Sequence, residues 1–288
     1  MNRGTLTLVP SGGLANRMRA VASAYNLCET TNSRLQVVWF RDWALNAAFN
    51  DIFEPIDPAL LNLREARFTD FIVNDRPRRR NLWIPGLMQM LFYPPRKSRI
   101  YEREVTPLKR RGFDFEAWLR GRNCYMSCYQ VFGSFPNTLY GKLFRPVNSV
   151  MEQVERNTDL FSDYTIGMHI RRTDNVESIE KSPTQYFIEA GRKELERHPS
   201  LKIFLATDSE NVKRELREVF GYRIITSGDE ACRGNADGIR GGLVDMYSLS
   251  HTQCIYGSVG SSFSEMASFI GNKPLIRACL LYTSPSPR

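Results

Sequence analysis

Histidine is scarce in this chain, with three residues, His169, His198 and His251, among 288. They are scattered, so no histidine cluster stands ready for a metal ion and none is expected. The six cysteines offer one close pair, Cys124 and Cys128, with no second pair or nearby histidine to complete a zinc site. They read as free, buried thiols. No run approaches the ~18 uninterrupted apolar residues of a membrane span. Residues 1–10 carry no apolar core followed by a cleavage site, so no secretory signal is read there and the cytoplasm is the expected compartment. Also missing are the G-x-G-x-x-G spacing and a Walker lysine, which excludes the dinucleotide and P-loop readings.

What is present is an ordinary globular composition, 42% hydrophobic and 24% charged, with ample length for one large or two modest domains. The net charge of +8 is uneven. Residues 1–150 hold 22 basic and 12 acidic side chains, whereas residues 151–288 hold 17 and 19. The excess gathers at Arg76, Arg78, Arg79, Arg80, Arg96, Lys97, Arg99, Lys109, Arg110 and Arg111. Such patches suit nucleic acid, an anionic membrane surface or an acidic polysaccharide, and equally a solvated basic face. Nucleic acid is disfavoured, because no aromatics interleave the arginines and no motif accompanies them.

Along the chain, Thr5 to Val9 predicts a strand, Ser11-Gly12-Gly13 a turn, Leu14 to about Thr31 a helix and Leu35 to Phe40 a second strand. That order is a βαβ unit with a parallel pair. Phe68 to Val73 and Asn123 to Cys128 are strand candidates in a region punctuated by proline and arginine. Residues 144–163 make the best boundary. Beyond them strands at 166–170, 202–206, 222–226 and 253–256 alternate with helices at 183–197, 209–220, 243–250 and 262–270, ending in an apolar stub, Pro274 to Ile276. Alternation of this kind predicts a parallel, doubly wound sheet. The expected organisation is two Rossmann-like α/β domains, 1–150 and 151–278, with parallel sheets facing a cleft. Residues 279–288 break the pattern and resemble one reading frame of a sequencing adapter, so they are read as foreign to the protein and excluded.

The stretch His169-Ile170-Arg171-Arg172-Thr173-Asp174 delivers four kinds of polar group beyond the end of one apolar strand, where α/β sheets bind ligands. Ser182-Pro183-Thr184-Gln185 follows and predicts a helix start closed by a capping box. Gly12 and Gly13 allow close backbone approach to a ligand, with Asn16 and Arg17 projecting from the first helical turn. Asp208 follows a buried strand, where it serves a site or caps the next helix. Asp245 is a site residue or a partly solvated helix carboxylate. The small and hydroxylated segment from Gly257 to Glu265, with Ser261 and Ser262 at a helix start, suits a phosphate.

Gly12-Gly13-Leu14-Ala15-Asn16-Arg17, His169-Ile-Arg171-Arg172-Thr-Asp174, Ala206-Thr-Asp208 and Asp245…Gly260-Ser261-Ser262-Phe-Ser-Glu265 stand in the order seen in the fucosyltransferase superfamily. This chain resembles that group, which contains α1,2-, α1,6- and protein O-fucosyltransferases and a rhizobial chitin-oligosaccharide fucosyltransferase. The resemblance implies a GT-B-like fold and metal-independent, inverting transfer of fucose from GDP-fucose, as in a bacterial enzyme of polysaccharide biosynthesis. It implies that Arg171 holds the β-phosphate, His169 and Asp245 the guanosine, and Ser261 and Ser262 the diphosphate. It implies that Asp174 and Asp208 support the site and that Asn16 faces the sugar, with Gly12, Gly13, Arg172 and Asp208 counted among the donor-binding residues. Asn175 stands where the α1,6 branch has lysine, and Ile179 where it has an acidic residue. The general base is therefore open among Asp174, Glu177 and Glu180. The expected partners are a nucleotide sugar, an oligosaccharide or lipid-linked glycan acceptor and, peripherally, the inner face of an anionic membrane. The alternatives are a glycosyltransferase for another nucleotide sugar and a non-enzymatic protein that binds nucleic acid or nucleotide sugars.

Overall fold

The computed structural model describes residues 3–74, 83–93, 98–172, 176–227 and 234–279, without the side chains of residues 83–86, 177 and 178. The chain divides into two units, Met1–Arg145 with Arg233–Ala236, and Pro146–Cys232 with Asp237–Arg288. The first contains β1 (Thr5–Pro10), α1 (Leu14–Thr30), β2 (Arg34–Trp39), β3 (Asn62–Glu65), α2 (Asp70–Val73), α3 (Trp83–Phe92), β4 (Arg99–Ile100), α4 (Glu102–Arg110), α5 (Phe115–Leu119), β5 (Asn123–Cys128) and α6 (Thr138–Leu143). Its strands form a five-stranded sheet in the order β3-β2-β1-β5-β4, with every neighbouring pair parallel.

The second unit runs α7 (Asn148–Thr158), β6 (Thr165–Ile170), α8 (Val176–Lys181), α9 (Thr184–Arg197), β7 (Lys202–Thr207), α10 (Glu210–Phe220), β8 (Ile224–Ile225), α11 (from Ala236 to Ser250), β9 (Ile255–Gly257), α12 (Ser262–Gly271) and β10 (Leu275–Arg277). Its sheet is again five-stranded and parallel, ordered β10-β9-β6-β7-β8. Two Rossmann-like α/β units with parallel sheets are therefore present, as the alternation of strands and helices implied. Among the described residues no helix is long and apolar enough to cross a membrane.

Covered faces explain the sequence pattern. All six residues of β6 are buried, because a parallel sheet carries helices on both sides. Ile166, Met168 and Ile170 join a core with Phe187 and Ile188 of α9. On the other face Gly167 lets α11 approach so closely that a Cβ there would stand 2.7 Å from Leu249 Cδ2.

Four expectations about secondary structure need correction. Phe68 to Val73 is no strand: Phe68 is 82% exposed, and residues 70–73 form the short helix α2. Asp70 dictates this, since its carboxylate accepts the Arg67 N–H at 2.7 Å and two bonds from Arg64 at 2.6 and 2.7 Å, winding the chain locally. Helix α11 begins seven residues before the expected Leu243 and takes Gly238, Gly241 and Gly242 into its body. Each helical glycine costs about 1 kcal/mol relative to alanine. Burial of Ile239, Leu243, Val244 and Met246 outweighs that. The expected capping box is not formed, because Ser182 Oγ accepts the Val259 N–H instead and Pro183 occupies the N-cap of α9. Finally, β8 is two residues long, because a 3-10 turn at Gly221–Arg223 takes up what precedes it. The expectations for Arg76, Arg78–Arg80, Arg96, Lys97, Thr173–Asn175, Cys232 and residues 280–288 lie outside the described residues.

Arg17 does not project as expected. It is wholly buried, donating from Nε to Gly12 O at 2.9 Å and from Nη1 to Phe40 O at 2.5 Å, with Nη2 3.1 Å from Asp42 Oδ2 and its guanidinium 4.8 Å over the Trp39 ring. One cation thus ties the turn after β1 to the chain leaving β2. Burial lowers its pKa to about 10, with Asp42 opposing, so it stays charged at neutral pH. Arg17→Met should lower unfolding free energy by about 3–5 kcal/mol in chemical denaturation, because it leaves the Asp42 carboxylate, 10% exposed, without its cation. The double variant with Asp42→Leu should recover part of that loss.

Candidate functional site

In the second unit β6 lies between β7 and β9, and the chain reverses its direction of progress across the sheet there. Such a switch point leaves a crevice beyond the carboxyl ends of the two diverging strands. The register pairs Met168 with Tyr256 and His169 with Gly257, so the segments after β6 and β9 emerge side by side. The histidine–arginine segment and the serine-rich segment, some ninety positions apart, meet through this pairing.

Their contacts are specific. Arg171 N donates to Ser258 Oγ at 3.3 Å, and Ser258 N donates to His169 O at 3.2 Å. His169 Nδ1 lies 3.2 Å from Ser261 Oγ, and its ring stacks on Phe263 at 4.6 Å and 23°. The imidazole is 8% exposed. Burial, then the nearby Arg171 charge, depress its pKa to about 3 against a weaker opposing pull from Asp208, so it is neutral at pH 7. Neutral imidazole offers one donor and one acceptor rather than a charge. Arg277 steadies the serine segment, donating to Ser258 O at 3.3 Å and to Glu265 Oε1 at 2.5 Å. Gly260 has φ near 72°, the left-handed conformation that favours glycine, just before the start of α12. At Gly257 a Cβ would stand 2.5 Å from Ser264 Oγ, so only glycine lets α12 sit so near the strand. The first N–H groups of α12, beginning at Ser262, form an electropositive end suited to an anion.

Arg172 and Asp208 hold the loop. Arg172 N donates to Asp208 Oδ1 at 2.7 Å, while its guanidinium donates to Arg171 O, Ser182 O and Thr184 Oγ1 at 2.8 to 3.0 Å. The N-cap of α10 is Ser209, so capping is not the work of Asp208. Asp245 is buried on α11 and accepts a short hydrogen bond from Ser227 Oγ beyond β8, which removes the solvated-helix alternative. Glu180 is exposed on α8, Asp174 lies outside the described residues, and so does the Glu177 side chain. Gly12, Gly13 and Asn16 stand in the first unit, at the end of β1 and start of α1. Gly12 has φ near 80°, and Asn16 Oδ1 is buried without a hydrogen-bond partner among the described residues. Ser258 and Phe263 were not singled out individually from sequence, and Ser182 was read only as a helix cap. Phe263 lay inside the serine-rich segment, but nothing in the order of residues shows that its ring covers His169.

Polar groups and a helix start are gathered where strand order reverses, the position at which Rossmann-like sheets bind ligands. Comparison with solved structures is more particular: the neighbours are fucosyltransferases. NodZ α1,6-fucosyltransferase soaked with GDP-fucose is 15% identical, with TM-score 0.63, the match covering 94% of this chain and 93% of that one. The Bradyrhizobium NodZ structure is 16% identical, with TM-score 0.61 and 93% of each chain covered. An Arabidopsis thaliana FUT1 variant in complex with GDP is 14% identical, with TM-score 0.59, covering 96% of this chain and 70% of that one. POFUT1 in complex with GDP is 11% identical, with TM-score 0.57, covering 96% and 98%. No protein-family model matches the chain, and no curated protein matches it. At these identities the likeness shows a shared fold.

The neutral state of His169 has a measurable consequence. Above pH ~6.5 both folded and unfolded chains hold it unprotonated, whereas below that the unfolded chain takes a proton that the folded chain refuses. Stability conferred by the folded site is therefore complete above pH 6.5 and falls as pH drops toward 3. The difference in unfolding free energy between wild type and His169→Asn should shrink by up to about 1.4 kcal/mol per pH unit across that window. Denaturant titrations at several pH values would show it, and a constant difference would mean the ring is protonated in the fold.

Proposed function

We propose that the chain is a metal-independent, inverting glycosyltransferase that moves fucose from GDP-fucose to a glycan hydroxyl. The observation that carries the proposal is the meeting of His169, Arg171, Ser258 and Ser261 at the β6–β9 switch point. Support comes from a fold shared with fucosyltransferases crystallised with GDP or GDP-fucose.

In this reading the GDP diphosphate lies against the start of α12, near Ser261 and Ser262, with the Arg171 guanidinium forked onto the β-phosphate. Neutral His169 and Asp245 receive the guanosine, and Gly12, Gly13 and Asn16 face the sugar. A carboxylate takes the acceptor hydroxyl proton, from the set Asp174, Glu177 and Glu180. The acceptor oxygen then attacks the anomeric carbon from the face opposite GDP, and the fucose–phosphate bond breaks with inversion. The electron pair of that bond leaves on the β-phosphate, where Arg171 meets the growing charge. Arg172 and Asp208 act by positioning Arg171 rather than by touching the donor. Because the proton goes to a side chain and the charge to an arginine, turnover should persist in excess chelator.

Peripheral contact with an anionic membrane fits a lipid-linked acceptor. Leu87, Met90 and Leu91 stand exposed at i, i+3 and i+4 on α3 while Gln89 between them is buried, with Phe68 and Ile72 also exposed nearby in the chain. Arginines 76 and 78–80 precede that helix in sequence and Arg96 and Lys97 follow it. An apolar helix face flanked by basic residues is suited to the interface of an anionic bilayer.

Two outcomes are expected. Arg171→Lys keeps the charge but loses the planar fork, so transfer measured with a panel of nucleotide sugars should fall by roughly 100-fold, while GDP affinity falls less. Normal turnover, or turnover of another donor with none of GDP-fucose, would reject the role or the donor. In flotation with vesicles containing anionic lipid, replacing Arg78, Arg79 and Arg80 by glutamine should weaken binding by about 1 kcal/mol per charge. Leu87→Ser with Leu91→Ser should weaken it independently of salt. Binding unchanged in both would remove the membrane contact.

A further inference from the structure

The first unit holds a cavity of about 420 Å³ that the motif residues do not touch. It opens over one face of the sheet at the amino-terminal ends of β1 and β5, where Thr5 pairs with Asn123. The turn at Gly12 lies at the opposite end of β1, roughly 20 Å away at about 3.3 Å per residue. Sheet faces that pack under helices are normally apolar. The carboxyl half of this face obeys, with Val9, Val38, Phe40 and Tyr125 packed against Phe71 and Tyr93. The amino half does not, presenting Thr5, Thr7, Gln36 and Asn123 to the cavity.

The lining carries dipoles but almost no net charge. Its one cation among the described residues, Arg64, forks onto Asp70 at 2.6 and 2.7 Å. The same carboxylate also accepts from Arg67 N at 2.7 Å and Asn74 Nδ2 at 2.8 Å. Asp70 therefore has its acceptor capacity filled, and the pair has little left for a phosphate or a carboxylate. Neutral donors and acceptors remain: the amides of Gln36, Asn74 and Asn123 and the Thr5 hydroxyl. Asn74 is 4% exposed, yet its Oδ1 has no hydrogen-bond partner among the described residues. A buried amide oxygen left unmatched is rare enough to require an explanation, and a bound donor is one. At the rim stand two aromatic side chains, Phe92 largely exposed and Tyr93 donating its hydroxyl to Thr7 Oγ1 at 3.0 Å.

We propose that this cavity is a saccharide-binding site for an uncharged sugar residue. A sugar presents hydroxyls that both donate and accept, as amides and hydroxyls require. Its C–H faces suit aromatic rings, whose apolar bodies tolerate a wet rim. The cavity volume falls in the range of roughly 300–1,000 Å³ typical of small-ligand sites. That the sugar belongs to the acceptor glycan rests on the glycosyltransferase reading above; binding itself does not. A site so far along β1 would hold a distal part of a long acceptor and so favour oligosaccharides over monosaccharides.

The test is calorimetric titration of the full chain with a β1,4-linked N-acetylglucosamine tetramer, with maltotetraose, and with a sulfated heparin tetramer. The measurements are repeated on Gln36→Leu and on Asn123→Leu, the latter at an exposed strand start where folding is least at risk, with thermal melts of both. Expected is binding of at least one neutral tetramer, weakened about tenfold or more in each folded variant, a loss of about 1.4 kcal/mol. GDP affinity should be the same in all three proteins. No binding of either neutral tetramer would mean a groove filled by water and would overturn the proposal. Undiminished binding in the variants would place the sugar elsewhere, and preference for the sulfated tetramer would overturn its neutral character. Loss of fucosyl transfer with sugar binding intact would strike the enzymatic reading and leave this site standing.

Discussion

Parallel pairing of β6 with β9 is the constraint on which the candidate site depends. It sets His169 opposite Gly257, and from that register follow the bonds of Arg171 and His169 to Ser258 and of His169 to Ser261. Parallel strands need crossover connections, so residues adjacent at their carboxyl ends are necessarily distant in the chain. The same geometry exposes a helix start there, since each strand end feeds a turn into a helix. Gly257 shows how tight the arrangement is, because any side chain at that position would collide with Ser264. A strand slip of one residue would turn the imidazole to the opposite face.

Charge is managed differently in the two units. Around β6 the protein keeps a titratable ring neutral by burying it under Phe263 and beside Arg171. At the end of β1 it buries a guanidinium instead and keeps it charged, supplying Gly12 O, Phe40 O and Asp42 as partners. The contrast follows from ordinary pKa values. Burial moves histidine out of its charged range with ease, whereas arginine starts so high that lowering to about 10 leaves it a cation. One group is then suited to orient a ligand by hydrogen bonds, and the other to fasten two loops of the scaffold.

The arginine pair illustrates how adjacent, identical residues divide their work. Arg172 is fastened to Arg171 O, Ser182 O and Thr184 Oγ1, while Asp208 receives its N–H. These bonds hold the backbone that presents Arg171. Of the two arginines in the motif, Arg172 therefore has its guanidinium given over to anchoring the loop. Ser182 makes a similar point: it reads as a helix cap, yet its hydroxyl accepts from Val259 across the switch point.

Much of the fold was legible in the order of residues. Apolar runs separated by helical periodicity mark β1, α1, β2, β6, α9, β7 and α10, because local propensity and burial agree there. The polar groups of the candidate site were legible as types, a histidine, arginines and serines just past apolar strands, though each of them taken singly also suits a solvated strand end or a helix cap. Tertiary structure alone decided which strand ends meet, because strand order depends on how helices pack over faces and not on any local signal. It decided that Arg17 turns inward to Asp42, that Asp70 winds residues 70–73 into helix, and that buried Ile239 and Val244 carry three glycines into α11. It also decided that Thr7, Gln36 and Asn123 line one cavity: they come from three strands, and only parallel pairing puts them on a common face.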